Sequence, residues 1–306
     1  MPQALQRSSS TLLFRPFWLF LLGVLLTLSA PLHGDAPRQD RSAQPSTTGA
    51  GAQRGTPTSL AQAFGDLDGI FLATDLAGEE IASFYSEGTA ERATERFPPC
   101  STFKVPHALI ALDLGVVTEE SSTKAWDGEA KAYDVWERDQ DLASAIRYSV
   151  VWYFQQIAQE VNPQRMQTYL DRLDYGNRDI SGGQTRFWLT SSLEISPAEQ
   201  IRFLRQLYKE ELPIAKEHQL AVQQMLVQRE EDGYQFSGKT GSCLDEKDGP
   251  SGWFIGHLRT PEGQEVVFAT HVAGETAKGT TARKISLELL RELGLLPAED
   301  EEKDAS

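Results

Sequence analysis

The chain has 306 residues, with 44 acidic against 29 basic side chains, a net charge of −15 and two cysteines. That length can bury a substantial core. The charge excludes most nucleic-acid binders, which set a basic face against the phosphate backbone. Two cysteines 143 positions apart make neither a disulfide-dense miniprotein nor a CxxC metal or redox knuckle.

Residues 1–16 carry Arg7 and Arg15 and no acid, Phe17 to Leu28 is almost wholly apolar, and Ser29 and Ala30 follow. A basic start, a short apolar run and a small-residue exit predict a cleaved secretory signal peptide over 1–30. The run is about a dozen residues, short of the ~20 of a membrane span, so no stable membrane anchor is expected. Residues 31–58, rich in Pro, Gly, Ser, Thr and Ala, lack the apolar area to offset ordering entropy and read as a disordered linker. Residues 298–306 read as a solvated acidic tail, which leaves one folded unit over 59–297.

Within that unit, Gly69–Asp75 and Glu80–Tyr85 read as a β-hairpin. A helix is predicted from Ser101 through Leu114, with Gly115 as its stop. The stretch 140–225 is mostly helical by its spacing (Val150, Phe154, Ile157, Val161; then Ile201, Leu204, Leu207). Strands return at 234–242, 252–258 and 265–272, and an amphipathic helix, Ala282 to Leu293, closes the unit. Strands, many helices, strands, helix is an α+β order: an antiparallel sheet built from both chain ends, packed against helices, with an all-helical insert.

Ser101 and Lys104 form an S-x-x-K pair. One helical turn apart, they share a face, and an amine there can serve as the base for the hydroxyl if it can lose its proton. A second match, Ser121 and Lys124, lies in the polar stretch EESSTKAWDGE with no apolar flank to desolvate the lysine, and reads as a solvated loop. Ser101 differs in having Phe97, Phe103, Val105 and Leu109 around it. Lys239-Thr240-Gly241 ends the strand at 234–242, where glycine permits close approach of a ligand and the lysine and threonine offer a cation and a hydroxyl. Each motif alone is weak. Together, on an exported chain, they point to acyl transfer by penicillin-recognising serine enzymes.

Ser149-Val150-Val151 adds an S-x-V motif before an apolar helix, and here the chain resembles the class D, oxacillinase-type, serine β-lactamases. The resemblance spans nearly the whole folded unit: Ser-Thr-Phe-Lys at 101–104, Ser-Val-Val at 149–151, Tyr-Gly-Asn at 175–177, Phe-Trp-Leu at 187–189, Lys-Thr-Gly at 239–241 and Gly-Trp-Phe-Ile-Gly at 252–256. It implies that Ser101 opens the β-lactam ring to an acyl-enzyme. Lys104, carboxylated by CO2 on its side-chain nitrogen, would be the base for acylation and deacylation, with no other cofactor. Forming that carbamate needs a neutral amine, which burial favours. Val151 would line the lysine's apolar pocket, and Trp188 would donate its indole N–H to the carbamate. Ser149 would pass a proton to the leaving nitrogen, while backbone N–H groups of Ser101 and Ser242 would form the oxyanion hole. Lys239, Thr240 and Arg283 would meet the substrate's carboxylate, with Leu189 beside the substrate; for Arg283 a surface arginine on an amphipathic helix is the alternative. Tyr175-Gly-Asn177 would hold the loop that carries Trp188.

The same resemblance bears on the cysteines. Cys100 precedes the nucleophile and Cys243 follows the K-T-G strand, positions that hold a disulfide in some class A carbapenem-hydrolysing β-lactamases, so a Cys100–Cys243 bond is expected in an oxidising periplasm. Two buried, unpaired thiols are the alternative. The expected partners are small-molecule β-lactams, with no nucleic acid, and the expected state is a monomer or homodimer. The rival reading is a β-lactam sensor domain that is acylated without turnover. The five histidines show no HExxH or HxH spacing, which leaves metal hydrolysis unsupported.

Overall fold

The computed structural model describes residues 62–245 and 249–298, all within the unit Ala52–Ser306. The expected leader, linker and tail residues 1–58 and 299–306 lie outside the described residues. Six strands form one antiparallel sheet in the order β2-β1-β6-β5-β4-β3: β1 Asp68–Asp75, β2 Glu80–Tyr85, β3 Val227–Glu231, β4 Tyr234–Asp245, β5 Gly249–Arg259 and β6 Glu265–Ala273. The first strands and the last share the sheet, as the α+β order requires. The helices are α1 Lys104–Asp113, α2 Leu142–Arg147, α3 Val151–Val161, α4 Pro163–Leu173, α5 Pro197–Tyr208, α6 Lys216–Met225 and α7 Gly279–Glu292.

Alternation along the central strands builds two cores, because successive side chains in a strand point to opposite faces. Phe254 and Leu258 of β5 join Val266, Phe268 and Val272 of β6 beneath Ala282, Ile285, Leu289 and Leu290 of α7. Their neighbours Trp253, Ile255, Val267 and Ala269 face the other way, against Phe97 and against Ile201 and Leu204 of α5. Layers on both faces explain why β5 is buried from Ser251 to Leu258 rather than half-exposed. A third core is helical. In it α1, buried from Lys104 to Leu112, is enclosed by residues of α2, α3, α4, α5 and α6.

Three differences from the sequence reading matter. The predicted helix at Ser101 begins as a 3₁₀ turn, Cys100–Phe103, and becomes α-helical at Lys104. Gly115 does stop it, in the left-handed conformation that glycine adopts without a Cβ penalty. The edge strand β3 was not expected: Gln228, Arg229 and Glu230 are all exposed, so no apolar alternation marks it. The last helix starts at Gly279, a turn before Ala282, which puts Arg283 in its second turn rather than its first.

Two histidines sit deep in the packing. His271 stacks on Phe97 with ring centroids 4.0 Å apart and contacts Trp253 at 4.4 Å; His257 stacks on Tyr208 at 3.9 Å. Burial pushes their pKa values from 6.5 down to about 3 and about 4. The unfolded chain therefore takes up protons as pH falls below about 6.5, while the folded chain does not until about 4 or 3, so these groups cost stability progressively across that window. Thermal midpoints are expected to hold above pH 6.5 and to fall steadily toward pH 4. His271→Phe, which keeps an aromatic ring between Phe97 and Trp253, is expected to flatten the decline; an unchanged slope would contradict this account.

Candidate active site

The 3₁₀ turn places its hydroxyl and amine together. At about three residues per turn, positions i and i+3 eclipse, so Lys104 lies directly above Ser101. Nζ of Lys104 is 2.8 Å from Oγ of Ser101. The turn is held from inside: the Thr102 N–H and hydroxyl both donate to the Pro99 carbonyl (3.1 and 2.7 Å), and Gln200 of α5 donates to the Thr102 hydroxyl (3.1 Å). Cys100 enters the turn with φ +47°, a left-handed conformation that costs a non-glycine residue about 1–3 kcal/mol and persists only where the surroundings enforce it. The enforcement is a disulfide from Cys100 to Cys243 of β4, with 5.8 Å between the two Cα atoms. Gly241 supplies the close approach beside it. A Cβ there would sit 3.0 Å from the Pro99 carbonyl and 3.2 Å from Thr102 Cγ2, so a side chain would fit only if strand and turn moved apart by a few tenths of an ångström.

Lys104 is fully buried, its ammonium position 5.6 Å from the ring centre of Phe154 on α3. Burial holds its pKa well below the usual amine range, and the nearby Lys239 lowers it further. Its amine is therefore available as a base. Val151 opens α3 one turn before Phe154 and is half-buried, while its neighbour Val150 is fully buried in the helical core.

Lys239 is buried as well, and its Nζ donates to Ser149 Oγ at 3.0 Å and to the Thr240 carbonyl at 2.9 Å. Desolvation lowers its pKa to about 7, so it can both give and take a proton near neutrality. Ser149 is a second left-handed residue, at φ +57°, where the chain turns from α2 into α3. β3 pairs with β4 only as far as Ser237, so Lys239 to Cys243 lie on a stretch of β4 open on the side away from β5. Alternation directs Lys239, Gly241 and Cys243 toward the 3₁₀ turn and puts Thr240 and Ser242 on the α7 face. The Ser242 hydroxyl accepts from the Gly279 N–H at the start of α7 (2.9 Å).

Arg283 is half-buried on α7. Its Nε donates to Gln228 Oε1 at 3.0 Å and its guanidinium lies 5.9 Å from the ring centre of Phe254, the residue paired with Thr240 across the β4–β5 ladder. Gln228 in turn donates to the Gly238 carbonyl (2.9 Å), next to Lys239. The guanidinium thus lies near the K-T-G strand, with Gln228 as its partner. Gln228 escaped the sequence reading because it belongs to the unrecognised β3.

Trp188 is fully buried, its ring packed on Phe187 (4.9 Å), His107 (5.2 Å) and Phe103 (5.9 Å), and its indole Nε1 has no hydrogen-bond partner. Asn177 holds the loop behind it, accepting from the Asp179 and Glu194 N–H groups and donating to the Ser192 carbonyl. Leu189 is half-buried, with its carbonyl against the Cys100 sulfur. The second pair differs from the solvated loop expected of it: the Lys124 side chain is largely covered, its backbone bridges to Gln140, and its amine is engaged by Glu160 at 2.6 Å rather than by Ser121.

A hydroxyl within reach of a buried amine of lowered pKa, with a second serine–lysine pair beside it and an arginine on the strand's far face, is a serine acyl-transfer arrangement. The model of the penicillin-binding protein transpeptidase domain matches residues 45–291. The probable β-lactamase YbxI of Bacillus subtilis (strain 168) is 43% identical over 233 residues, 76% of this chain and 84% of that protein. The solved class D β-lactamase BAT-2 is 40% identical and superposes with a TM-score of 0.71 over 78% of this chain and 97% of its own. The chain belongs to the class D β-lactamase family. It is also similar to the C-terminal domain of the Bacillus licheniformis BlaR penicillin-receptor, at 33% identity and a TM-score of 0.71 over 79% of this chain and 96% of that domain. Against the whole regulatory protein BlaR1 the match covers 35% of the partner sequence.

Proposed function

We propose that the chain hydrolyses β-lactams through an acyl-enzyme on Ser101. The observation that carries this is the 2.8 Å contact between Ser101 and a fully buried Lys104 amine, whose pKa burial draws well below the usual amine range. Lys104 takes the Ser101 proton as Oγ bonds to the ring carbonyl carbon; the ring C–N bond breaks, Ser149 gives its proton to the departing nitrogen, and the proton held at Lys104 is passed back to Ser149 by way of Lys239, which frees the base for the next step. Backbone N–H groups of Ser101 and Ser242 stabilise the charge on the carbonyl oxygen. Water then attacks the ester carbon, the base near Ser101 accepts its proton, and the serine is released.

The base in the working enzyme is Lys104 carboxylated on Nζ. Two features support this. A neutral buried amine is the form that adds CO2, and the unpartnered indole N–H of Trp188 is a donor awaiting an anionic acceptor in the same pocket. When present, the carboxylate supplies a base for the deacylating water that an amine alone serves poorly. The leader read at 1–30 supports an exported, periplasmic enzyme.

Incubation with a chromogenic cephalosporin tests the reading: multiple turnovers per enzyme are expected, stimulated by bicarbonate after CO2 depletion. One equivalent of acylation with no turnover would identify a sensor instead. For Arg283→Ala, loss of a charge-assisted hydrogen bond to the substrate carboxylate is expected to raise KM about tenfold or more with little change in kcat. An unchanged KM would remove Arg283 from the binding site.

A further inference from the structure

His107 lies three residues beyond Lys104 on α1, fully buried, and neither ring nitrogen has a hydrogen-bond partner. Its ring is enclosed by Phe103 at 5.3 Å, Phe154 at 5.3 Å and Trp188 at 5.2 Å. Phe154 is the same ring that the Lys104 amine faces, and Trp188 is the same ring whose N–H is unpartnered. Two buried rings without hydrogen-bond partners thus lie in contact with each other, and one of them, His107, shares the Phe154 ring with the Lys104 amine. Other buried groups of this protein also lack partners, His257 among them, but these two unpartnered rings touch each other one turn of α1 from Lys104, where one acceptor would serve both. The i, i+3 spacing puts His107 and Lys104 on one face of α1.

We propose that His107 is a positioning residue, the second hydrogen-bond donor alongside Trp188 for the carboxylate carried by Lys104. This rests on the carboxylated-lysine reading above. Burial holds the imidazole neutral, with a pKa of about 3, so it carries one N–H to donate. A neutral donor suits this place: it stabilises an anion on Lys104 without adding a second positive charge to a pocket that must keep the amine uncharged.

The test is ¹³C NMR of the full chain titrated with ¹³C-bicarbonate, read as the bicarbonate concentration that half-fills the carbamate signal. In His107→Phe, which keeps the ring and removes the donor, that concentration is expected to rise about tenfold or more, whereas His107→Asn, which retains an N–H, stays within about threefold of the unmodified protein. Equal half-filling concentrations in the Phe variant and the unmodified protein would overturn the role of His107 and leave the carboxylated lysine standing. No carbamate signal in the unmodified protein would overturn the carboxylated lysine itself. A readout that needs no variant to fold is the ring N–H spectrum of the ¹⁵N-histidine-labelled protein: one buried imidazole N–H is expected to shift on bicarbonate addition. A spectrum indifferent to bicarbonate while the ¹³C carbamate signal fills would again reject the assignment to His107.

Discussion

Ser101→Ala is expected to abolish covalent labelling by β-lactams and to lower hydrolysis roughly 10⁴- to 10⁶-fold, as when the nucleophile of a coupled catalytic group is removed. The loss is expected to be this large because no second hydroxyl can substitute. Ser149 Oγ lies 3.0 Å from Lys239 rather than from the Lys104 amine, and the other S-x-x-K match, Ser121–Lys124, has its lysine bound to Glu160. Intact-protein mass spectrometry after drug exposure reads the adduct directly. Folding is expected to be unaffected, since the Ser101 side chain is not fully buried and the turn is held by Thr102, Gln200 and the disulfide. Hydrolysis at the unmodified rate in Ser101→Ala would refute the acyl-enzyme outright.

Removing the Cys100–Cys243 bond is expected to give the largest stability loss of any change considered, about 2–5 kcal/mol, because the cross-link closes a very long loop in the unfolded chain. Cys100→Ala with Cys243→Ala avoids leaving a reactive thiol, and urea denaturation measures the difference. The loss also has a local component. The bond ties the 3₁₀ turn to the open stretch of β4, and Cys100 is held at a positive φ that alanine does not favour. The double variant is therefore expected to lose kcat as well as stability. A double variant as stable as the parent protein would show that packing of Phe97, Trp253 and Gly241 alone holds the turn against the strand.

Much of the site could be read before any coordinates. Ser101, Lys104 and the strand with Lys239-Thr240-Gly241 stood out because their chemistry is local: spacing on a helix and position at a strand end are properties of short segments. The apolar flanks Phe103, Val105 and Leu109 pointed to Ser101–Lys104, but the Lys124 side chain is also largely covered, and what separates the two pairs is the partner of the amine, Ser101 in one and Glu160 in the other. The amphipathic spacing of α3 and α5 and the hairpin of β1 and β2 were legible because they too are local. The edge strand β3 was not. Gln228, Arg229 and Glu230 are solvated, so the pattern that betrays a half-buried strand is missing, and with it went Gln228, which holds Arg283 in place. His107 was also missed as a functional residue. A histidine on an apolar helix face reads as core, and its neighbours Phe154 and Trp188, 47 and 81 positions away, carry no sequence signal of proximity.

The sequence by itself determined the α+β order, the candidate serine–lysine pair, the K-T-G strand and, through family resemblance, the partner cysteines. These depend on local periodicity, on residue types no other role explains, or on motifs that occur together. Only the tertiary structure decided which lysines have their pKa lowered, since desolvation is a property of everything that packs around an amine: Lys104 and Lys239 are buried with lowered pKa values, while Lys124 is bound to an acid. It alone set Arg283 on Gln228 rather than in solvent, and it alone left the N–H of Trp188 without a partner and brought the ring of His107 against it.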